Sequence, residues 1–471
     1  MLELLERQQK LTLNQKKIVF AAIVGDMLDF FDYYLIGFVL AFIVGPWHLT
    51  YGQSAIVLLS SGVGAIPGAM FWGWMADKIG RRKVFIYTIL NFSIATGVLA
   101  LTPDTGGWIF LTVFRFFVGF GVAGLYAVDL PLVQEFVPSS KRGKVGGLVT
   151  ACLPLGTSLG AFMGGFLTPY VGWRGIFVVG LLPALLTLLV RAWVPESPRW
   201  LLSMGRVEEA RKSLAWALMI DPKNIKLPDV VPVPRKVSWG ELFQHPRSLV
   251  LTWLSSLGAQ TAGYGLTLWA PTLFVLLLAV SPAEASKMMV SIGFVGLAGR
   301  LTFSYLSDIA GRRVLGVIMG FAAFAVVALG GYYHSYFLLG FSVFWLMMNA
   351  QSFIGSGGYA IVGPYSAEVW PAHLRASGMG SAYGFGSLGK ILGPLGLALI
   401  VGSSDVVSPK ATIAAIDPAM FYLASWYLLG GIVFFFIGLE TKNRSIEDID
   451  AELAKTAAAS ARKPVPASGN D

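Results

Sequence analysis

Long apolar runs alternate with short polar segments along the whole chain. About 20 apolar residues cross the hydrocarbon core of a bilayer as a helix, and twelve runs reach that length. We predict helical spans over residues 17–45, 52–76, 84–102, 108–136, 143–168, 173–194, 248–276, 285–306, 313–331, 335–366, 374–402 and 418–439. The pattern therefore predicts an all-α membrane protein with twelve transmembrane helices.

A longer polar segment, residues 195–247, divides these spans into six and six. It carries basic residues, proline-rich turns and one short amphipathic stretch, Val207–Leu218. We interpret it as a cytoplasmic linker between an N-terminal half, residues 17–194, and a C-terminal half, residues 248–439. A cytoplasmic N-terminal segment, 1–16, and a cytoplasmic tail, 440–471, complete the predicted organisation.

Matched motifs recur in the same order in the two halves. Residues 77–82 (Asp-Lys-Ile-Gly-Arg-Arg) follow the second span, and residues 308–313 (Asp-Ile-Ala-Gly-Arg-Arg) follow the eighth. The pattern Glu-x-x-Pro-x-x-x-Arg closes the fourth span at residues 135–142 and the tenth at residues 368–375. We infer two six-helix pseudo-repeats, an arrangement in which a substrate site lies near the membrane midplane between the repeats.

Composition and charge agree with this class. Hydrophobic residues make up 55% of the chain and charged residues only 13%, whereas soluble domains carry about a quarter charged residues. Most of the 35 Lys and Arg fall on the side of the two termini, and only Arg174, Lys287 and Lys410 fall in loops on the other side. The positive-inside rule then places both termini in the cytoplasm of a multi-pass inner or plasma membrane protein. The net charge of +9 follows from this topology and indicates no nucleic-acid partner.

Several of these segments resemble the major facilitator superfamily of transporters. Residues 77–83 are similar to its loop between spans two and three, and residues 115–124 (Arg-Phe-Phe-Val-Gly-Phe-Gly-Val-Ala-Gly) resemble its fourth-span motif. Residues 195–201 and 440–447 are similar to the sugar-porter motifs that end the two halves, whereas residues 28–37 are closer to the proton symporters for aromatic acids and other metabolites. The resemblance implies a secondary transporter that works by alternating access.

The first span holds three carboxylates, Asp26, Asp29 and Asp32. An ionisable group at mid-bilayer costs about 2.5–3.5 kcal/mol to insert and usually lines a cavity or pathway. Residues three apart are neighbours on one helix face, and carboxylates this close cannot all be charged cheaply away from water. We therefore expect proton coupling at Asp29 or Asp32, with Asp26 the next candidate. The alternative is that one of the three caps a helix or pairs with a loop cation.

The fourth span adds Arg115 and Asp129 to the proton-coupling candidates. The resemblance gives the arginine of this motif a part in proton coupling, since a fixed cation changes how readily a nearby carboxyl ionises. Asp129 stands where related motifs carry a small or neutral residue. The alternative for Arg115 is a purely structural pairing that holds helices together.

Lys390, near the middle of the eleventh span, is the single residue that best distinguishes between the possible substrate classes. A lone ammonium inside the membrane needs a counter-ion. This is either Asp29, Asp32 or Asp129 in the empty protein or an anionic substrate in the loaded one. The aromatic-acid symporters tend to carry a cation in this helix, but their arginine aligns with Ser387, three residues earlier. We favour contact with a substrate anion over an internal salt bridge.

Neutral polar side chains complete the predicted substrate site. Gln260 and Tyr264 lie four residues apart in the seventh span, within a segment that resembles the Gln-x-x-Gly substrate segment of sugar porters. Asn349 and Gln351 in the tenth span, and Trp269, are further candidates. The alternative is that these side chains only pack or bridge helices.

At the cytoplasmic face we predict an ionic gate. Asp77 is expected to accept from the N-terminal end of a facing helix, and the other charges are expected to form ion pairs when this face closes. The alternative is that they act only as topology signals. The predicted gate residues are Asp77, Arg81, Arg82, Glu135, Arg142, Asp308, Arg312, Arg313, Glu368 and Arg375.

These features favour a proton-coupled symporter for a small organic anion, either a carboxylate or an aromatic acid. A neutral-solute symporter of sugar-porter type is the main alternative, followed by a proton-exchange exporter. An enzyme is disfavoured, because all four histidines fall at loops or span ends and no metal-ligand spacing occurs. We therefore predict no catalytic residues, metal or cofactor. The expected form is a monomer in the lipid bilayer that binds a small molecule and protons.

Overall fold

The structure, a computed structural model, describes residues 3–181, 185, 194–225, 239–371 and 374–442. The α-helices in this part of the chain are α1 (Glu3–Glu6), α2 (Leu13–Ile43), α3 (Tyr51–Ile79), α4 (Arg81–Leu99), α5 (Gly107–Glu135), α6 (Ser139–Ala151), α7 (Leu153–Phe162), α8 (Thr168–Val179), α9 (Pro198–Ser203), α10 (Val207–Leu218), α11 (Pro246–Leu278), α12 (Pro282–Ala310), α13 (Arg312–Tyr332), α14 (Val343–Glu368), α15 (Arg375–Gly386), α16 (Gly389–Val401) and α17 (Pro409–Ile437). A π-helical turn, Met163–Leu167, follows α7, and two 3-10 turns, Pro222–Asn224 and Trp239–Gln244, belong to the linker region. Strands β1 (Phe337–Leu338) and β2 (Phe341–Ser342) form a small antiparallel hairpin.

The predicted spans coincide with these helices. Eleven of the twelve fall on described helices, and the sixth begins in α8 but runs largely onto residues outside the described part. By length and apolar composition alone, eight of the described helical segments can cross a membrane. The predicted linker helix is confirmed by α10. The proline-rich linker residues 227–235 and the tail beyond 442 lie outside the described residues.

Three spans differ from the prediction, two because they are divided into two helices and one because it begins later. The fifth is divided at Cys152 into α6 and α7, where Pro154 at the start of α7 has no N–H to continue the hydrogen-bond ladder. The eleventh is divided between α15 and α16, next to glycines that weaken a helix. The tenth begins at Val343 instead of 335, because the β1–β2 hairpin takes up the preceding residues.

Capping residues account for the helix starts that the apolar pattern missed. Thr12 and Gln15 form a capping box, so α2 begins at Leu13 instead of 17. Ser408 accepts from the N–H of Ala411, so α17 begins nine residues before the predicted 418. Apolar periodicity alone places a helix but does not place its ends.

The two halves pack in the same way, which confirms the pseudo-repeat. Helix α3 packs on α5 in the first half as α12 packs on α14 in the second. Glycines permit both contacts: a Cβ added to Gly119 would lie 1.9 Å from the carbonyl oxygen of Ser61, and one added to Gly299 would lie 2.1 Å from that of Phe353. Close backbone approach at small residues is how membrane helices associate. The described helices therefore form two similarly packed halves, as the pseudo-repeat requires.

The halves meet along α2 with α11, α7 with α12, and α3 with α16. We call the side that carries the Gly-Arg-Arg loops, α9 and α10 the linker face, and the side that carries residues 44–50 and 402–408 the far face. The far-face segments form an antiparallel bridge between Thr50 and Val406, which joins the halves there. Its backbone hydrogen bonds run from Tyr51 N to Asp405 O (3.0 Å), from Gly52 N to Ser403 O (2.9 Å) and from Val407 N to Leu49 O (2.9 Å).

Candidate functional site

The three carboxylates of α2 are all buried: Asp26, Asp29 and Asp32 are 3%, 4% and 3% exposed. Asp32 accepts from the hydroxyl of Thr96 on α4, whose Oγ1 lies 2.7 and 2.9 Å from the two carboxylate oxygens. Oδ1 of Asp29 has no hydrogen-bond partner among the described residues. The two leading proton-coupling candidates therefore have different surroundings, one bonded by a hydroxyl and one with an unsatisfied oxygen.

Arg115 on α5 lies beside Asp32. Its side chain is fully buried, and Nη1 and Nη2 donate to the carbonyl oxygens of Asp32 (2.8 Å) and Tyr33 (2.6 Å). The guanidinium thus fixes the α2 backbone at Asp32, and its charge interacts with the Asp32 carboxylate. A buried guanidinium next to a buried carboxyl makes the ionisation of each depend on the other.

Lys390 is 3% exposed and lies at the start of α16, immediately after the break in the eleventh span. Three tyrosine rings surround its ammonium group: Nζ lies 5.0 Å from the centroid of Tyr264, 5.2 Å from Tyr383 and 5.3 Å from Tyr33. Nζ also lies 3.3 Å from the hydroxyl of Tyr383. We call Lys390 with these three tyrosines the tyrosine cage. Aromatic rings stabilise a desolvated cation without neutralising its charge.

The structure places a negative charge near Lys390 but no salt-bridge partner among the described residues. Its charge interacts with that of Asp29, but no carboxylate in the described ranges lies within salt-bridge distance of Nζ. Asp129 is buried on α5. Among the described residues, the recorded contacts of the Lys390 ammonium group are those with the three tyrosines.

A tight turn joins α15 to α16 and determines where Lys390 lies. Gly389 packs so closely on α11 that an added Cβ would lie 2.5 Å from the backbone nitrogen of Thr261. Ser387 and Leu388, between the two helices, keep helical φ and ψ, and the N–H groups of Lys390 and Ile391 donate to the carbonyl oxygens of Ser387 and Leu388, both at 3.0 Å. The chain therefore continues in nearly the same direction, and Lys390 is held against α11.

A cavity lies next to the tyrosine cage, between the halves. It has a volume of about 50 Å³ and is lined from both halves, by Tyr34 and Thr157 on one side and by Arg300, Gln351 and Tyr359 on the other. Tyr34 stacks on Tyr264, with ring centroids 5.6 Å apart and an interplanar angle of 13°. The cavity and the cage therefore share one aromatic wall.

The other predicted substrate residues divide into two groups. Gln351 lines the cavity and donates to the hydroxyl of Tyr427 (2.6 Å), and Gln260 bonds to Ser256 within α11. Asn349 does not line the cavity: its Oδ1 accepts from Ser291 (2.9 Å), which ties α14 to α12. Trp269 donates to the carbonyl of Pro394 and also bridges helices. The packing alternative therefore accounts for Asn349 and Trp269.

Sequence reasoning missed Tyr33, Tyr34, Tyr383 and Arg300 as site residues. One signal was available, because Tyr383 precedes Lys390 by seven residues, which is two helical turns and one helix face. Tyr33 and Tyr34 follow Asp32 directly, within the segment that carries the symporter resemblance.

The charged loops of the linker face form two equivalent networks, each inside one half. Arg81 pairs with Glu135, which also accepts from Ser197. In the second half Arg312 Nη1 lies 2.5 Å from Glu368 Oε2, which also accepts from Thr441 at 2.8 Å. Two ion pairs between predicted gate residues are present, and among the described residues each lies within one half.

A second carboxylate completes each network at a helix start. Glu196 accepts from the backbone N–H groups of Arg81 (2.9 Å) and Arg82 (3.0 Å), and Glu440 accepts from that of Arg312 (3.1 Å). The preceding glycines, at positions 80 and 311, have φ of 103° and 93°, a region that favours glycine. A carboxylate at a helix N-terminus is favourable. Glu196 and Glu440 thus serve as the carboxylates at these helix starts. Within the described ranges no backbone N–H is recorded as donating to Asp77, whose role stays a prediction.

The remaining arginines of the predicted gate bind backbone carbonyls. Arg142 Nε donates to the carbonyl of Gln134 (2.9 Å), and Arg375 Nε donates to that of Trp370 (3.2 Å). Arg313 Nη2 donates to the carbonyl of Phe435 (2.7 Å) near the end of α17. These arginines hold helix ends, where a cation is favourable. The gating role of these residues, and of Arg82 and Asp308, stays a prediction.

Comparison with known proteins gives a consistent relationship. Residues 17–453 match the family described as "Sugar (and other) transporter". A niacin transporter of Acinetobacter baylyi is 29% identical over 90% of this chain and 94% of its own length. A cis,cis-muconate transport protein of the same organism is 26% identical over 87% of this chain and 95% of its own length.

Solved structures support the same fold. The xylose transporter of E. coli in a partially occluded inward-open conformation superposes with a TM-score of 0.73 at 19% identity, covering 92% of this chain and 100% of the other. Its inward-open conformation superposes with a TM-score of 0.71 at 18% identity, covering 93% and 99%. Such low identity shows the fold alone. The chain is a multi-pass membrane transporter of the major facilitator superfamily, and it belongs to the sugar (and other) transporter family.

Proposed function

We propose that this protein is a proton-coupled symporter for a small organic anion, and that aromatic monocarboxylates are its substrate class. The tyrosine cage carries this proposal. It combines a buried ammonium group, no carboxylate at salt-bridge distance within the described residues, and three aromatic rings. A carboxylate can pair with the Lys390 ammonium while its ring packs against tyrosine rings.

Proton coupling is assigned to the carboxylates of α2. Asp29 interacts electrostatically with Lys390, and Asp32 with Arg115. Protonation of either carboxyl changes the charge that faces its cation, so proton binding and anion binding are linked through the same small region. Asp26 and Asp129 are further candidates for the same role. Rocking of the halves about this midplane site would give alternating access.

The names of the relatives support a carboxylate substrate. Niacin and cis,cis-muconate, which two of the relatives are described as transporting, are both carboxylic acids. We extend to this chain a location in the cell membrane with both termini in the cytoplasm, and a division into halves at residues 195–247. We also propose that it works as a monomer in the bilayer and has no catalytic activity.

Transport in proteoliposomes with an imposed pH gradient tests the proposal. We expect gradient-driven accumulation of labelled nicotinate and benzoate and none of xylose. Lys390→Ala should abolish anion uptake while the protein still inserts and elutes as a single species. Asn349→Ala is a suitable control, because Asn349 bonds between α12 and α14 away from the cage. Near-normal nicotinate uptake by Lys390→Ala would remove Lys390 from the site.

A neutral-solute symporter is the second candidate. The family description includes sugars, and Gln260, whose Oε1 has no hydrogen-bond partner among the described residues, could bind a hydroxyl group. Gradient-driven uptake of xylose without uptake of carboxylates would establish this alternative and overturn the anion proposal.

A further inference from the structure

A second buried cation, Arg300, lies between the halves and has no part in the proposal above. It lies in α12 and is 6% exposed. Nη1 donates to the carbonyl oxygen of Thr150 in α6 of the other half, and the guanidinium carbon lies 5.4 Å from the ring centroid of Tyr359. Ionisable groups inside the membrane commonly mark a substrate or ion pathway.

Arg300 lines the cavity of about 50 Å³ between the halves. Hydroxyl and amide side chains share this lining with apolar groups; the polar members are Tyr34, Thr157, Gln351, Ser352, Ser356 and Tyr359. A space of this size holds one or a few water-sized groups. In this conformation it can therefore accept a carboxylate group but not a whole aromatic acid.

Arg300 lies closer to the linker face than Lys390 does. It is ten residues before the end of α12 at Ala310, or about 15 Å at the helical rise of about 1.5 Å per residue. Lys390 is fifteen residues after the start of α15 at Arg375, or about 22 Å by the same rise. Counted along its own span, Arg300 is therefore nearer to the linker-face end than Lys390 is.

The stacked pair Tyr34–Tyr264 separates the two cations. Tyr34 lines the Arg300 cavity, whereas Tyr264 lies 5.0 Å from the Lys390 ammonium. One ring belongs to each half, so movement of the halves against each other alters the stack.

We propose that Arg300 is a second carboxylate-binding residue, on the linker side of the Tyr34–Tyr264 pair, so that the protein has two anion sites in series. The substrate anion passes from Lys390 to Arg300 when the stack opens. This inference rests on the proposed transport of an organic anion. In this proposal, Arg300 is the residue that contacts the substrate carboxylate on the linker-face side of the site.

Binding of nicotinate and of its neutral analogue nicotinamide to the full-length protein in nanodiscs tests this assignment. Arg300→Gln should weaken nicotinate binding by about tenfold or more, the equivalent of about 1.4 kcal/mol, and leave nicotinamide binding unchanged. Arg300→Lys should retain part of the preference for the carboxylate. Lys390→Gln should still prefer nicotinate, and only the double variant should lose the preference completely.

Two results would overturn the assignment. If Arg300→Gln keeps the wild-type preference for nicotinate, Arg300 does not bind the carboxylate. If it weakens both ligands equally, Arg300 acts through its bond to Thr150 and not through the substrate. Either result leaves the proposed function in place as long as the wild-type protein accumulates nicotinate. Failure of the wild-type protein to transport any carboxylate would instead reject the proposed function itself.

Discussion

A disulfide across the far face should stop transport by holding the halves together there. Thr50 and Val406 form an antiparallel bridge whose flanking backbone hydrogen bonds measure 3.0 and 2.9 Å and leave the pair itself without a mutual bond. Such pairs have Cα atoms about 4.5 Å apart, and disulfides join Cα atoms about 4.4–6.8 Å apart. Thr50→Cys/Val406→Cys, with Cys152→Ala to remove the native thiol, should therefore cross-link on oxidation.

The size of the effect follows from this geometry. A disulfide lets the Cα atoms separate by only about 2 Å beyond their bridged distance, which is too little to admit an aromatic acid. Uptake should fall to the fraction of molecules that remain without the cross-link. The substitution at Thr50 should also lower the stability of the protein, because Thr50 caps α3 by accepting from Gln53 N at 3.1 Å. Loss of such a cap costs about 1 kcal/mol of stability, and thermal unfolding of the single variant Thr50→Cys measures this cost.

The assay is nicotinate uptake into proteoliposomes before oxidation, after oxidation and after reduction. The cross-linked fraction is read in the same samples from the gel shift that a thiol-reactive polymer produces. The two single-cysteine variants, oxidised in parallel, control for thiol damage. Uptake well above the uncross-linked fraction would refute the reasoning, because the far face would then not have to open during transport.

Two further predictions concern stability and are measured by thermal unfolding of the purified protein. Gly119→Ala should destabilise the protein by about 1–3 kcal/mol, because the new Cβ would lie 1.9 Å from the carbonyl oxygen of Ser61. The control Gly147→Ala should change stability little, because nothing lies within 4 Å of its added Cβ. Equal effects of the two variants would contradict the close packing at Gly119. Glu196→Gln and Glu440→Gln should each lower stability by about 0.3–1 kcal/mol by removing a charge from a helix N-terminus. Their effects should add because they lie in separate halves, and a marked excess in the double variant would show that the networks are coupled.

The architecture could be predicted from the sequence because it depends on features that the sequence displays directly. Apolar runs of membrane length mark the spans, and repeated motifs mark the duplication. Gly80 and Gly311 fulfil this expectation in backbone detail, with nearly the same φ and ψ in the two loops. The roles of Glu196 and Glu440 could not be predicted, because nothing in their spacing relates them to a loop more than a hundred residues away.

The site was predicted in part. Burial of charge inside the membrane identified Asp29, Asp32, Arg115 and Lys390, since such residues are rare in spans and rarity is a signal. The tyrosine cage could not be predicted in the same way, because the chain has 16 Tyr and 32 Phe, most of which are expected to pack against helices or lipid. Which rings face Lys390 depends on how α2 and α11 pack beside it, because Tyr33 and Tyr264 belong to those helices, and apolar periodicity does not show which helices are neighbours.

The linker-face networks have an energetic consequence for the transport cycle. One ion pair, Arg81–Glu135, lies within the first half, and the other, Arg312–Glu368, lies within the second. A movement of the halves as rigid bodies leaves these bonds intact, so they contribute little to the free-energy difference between the two end states. The contacts that cross between the halves contribute to it instead, namely the far-face hydrogen bonds, the bond from Arg300 to Thr150 and the helix packing. A ligand that shifts such an equilibrium from 1:99 to 99:1 must bind one end state more tightly than the other by about 5.5 kcal/mol.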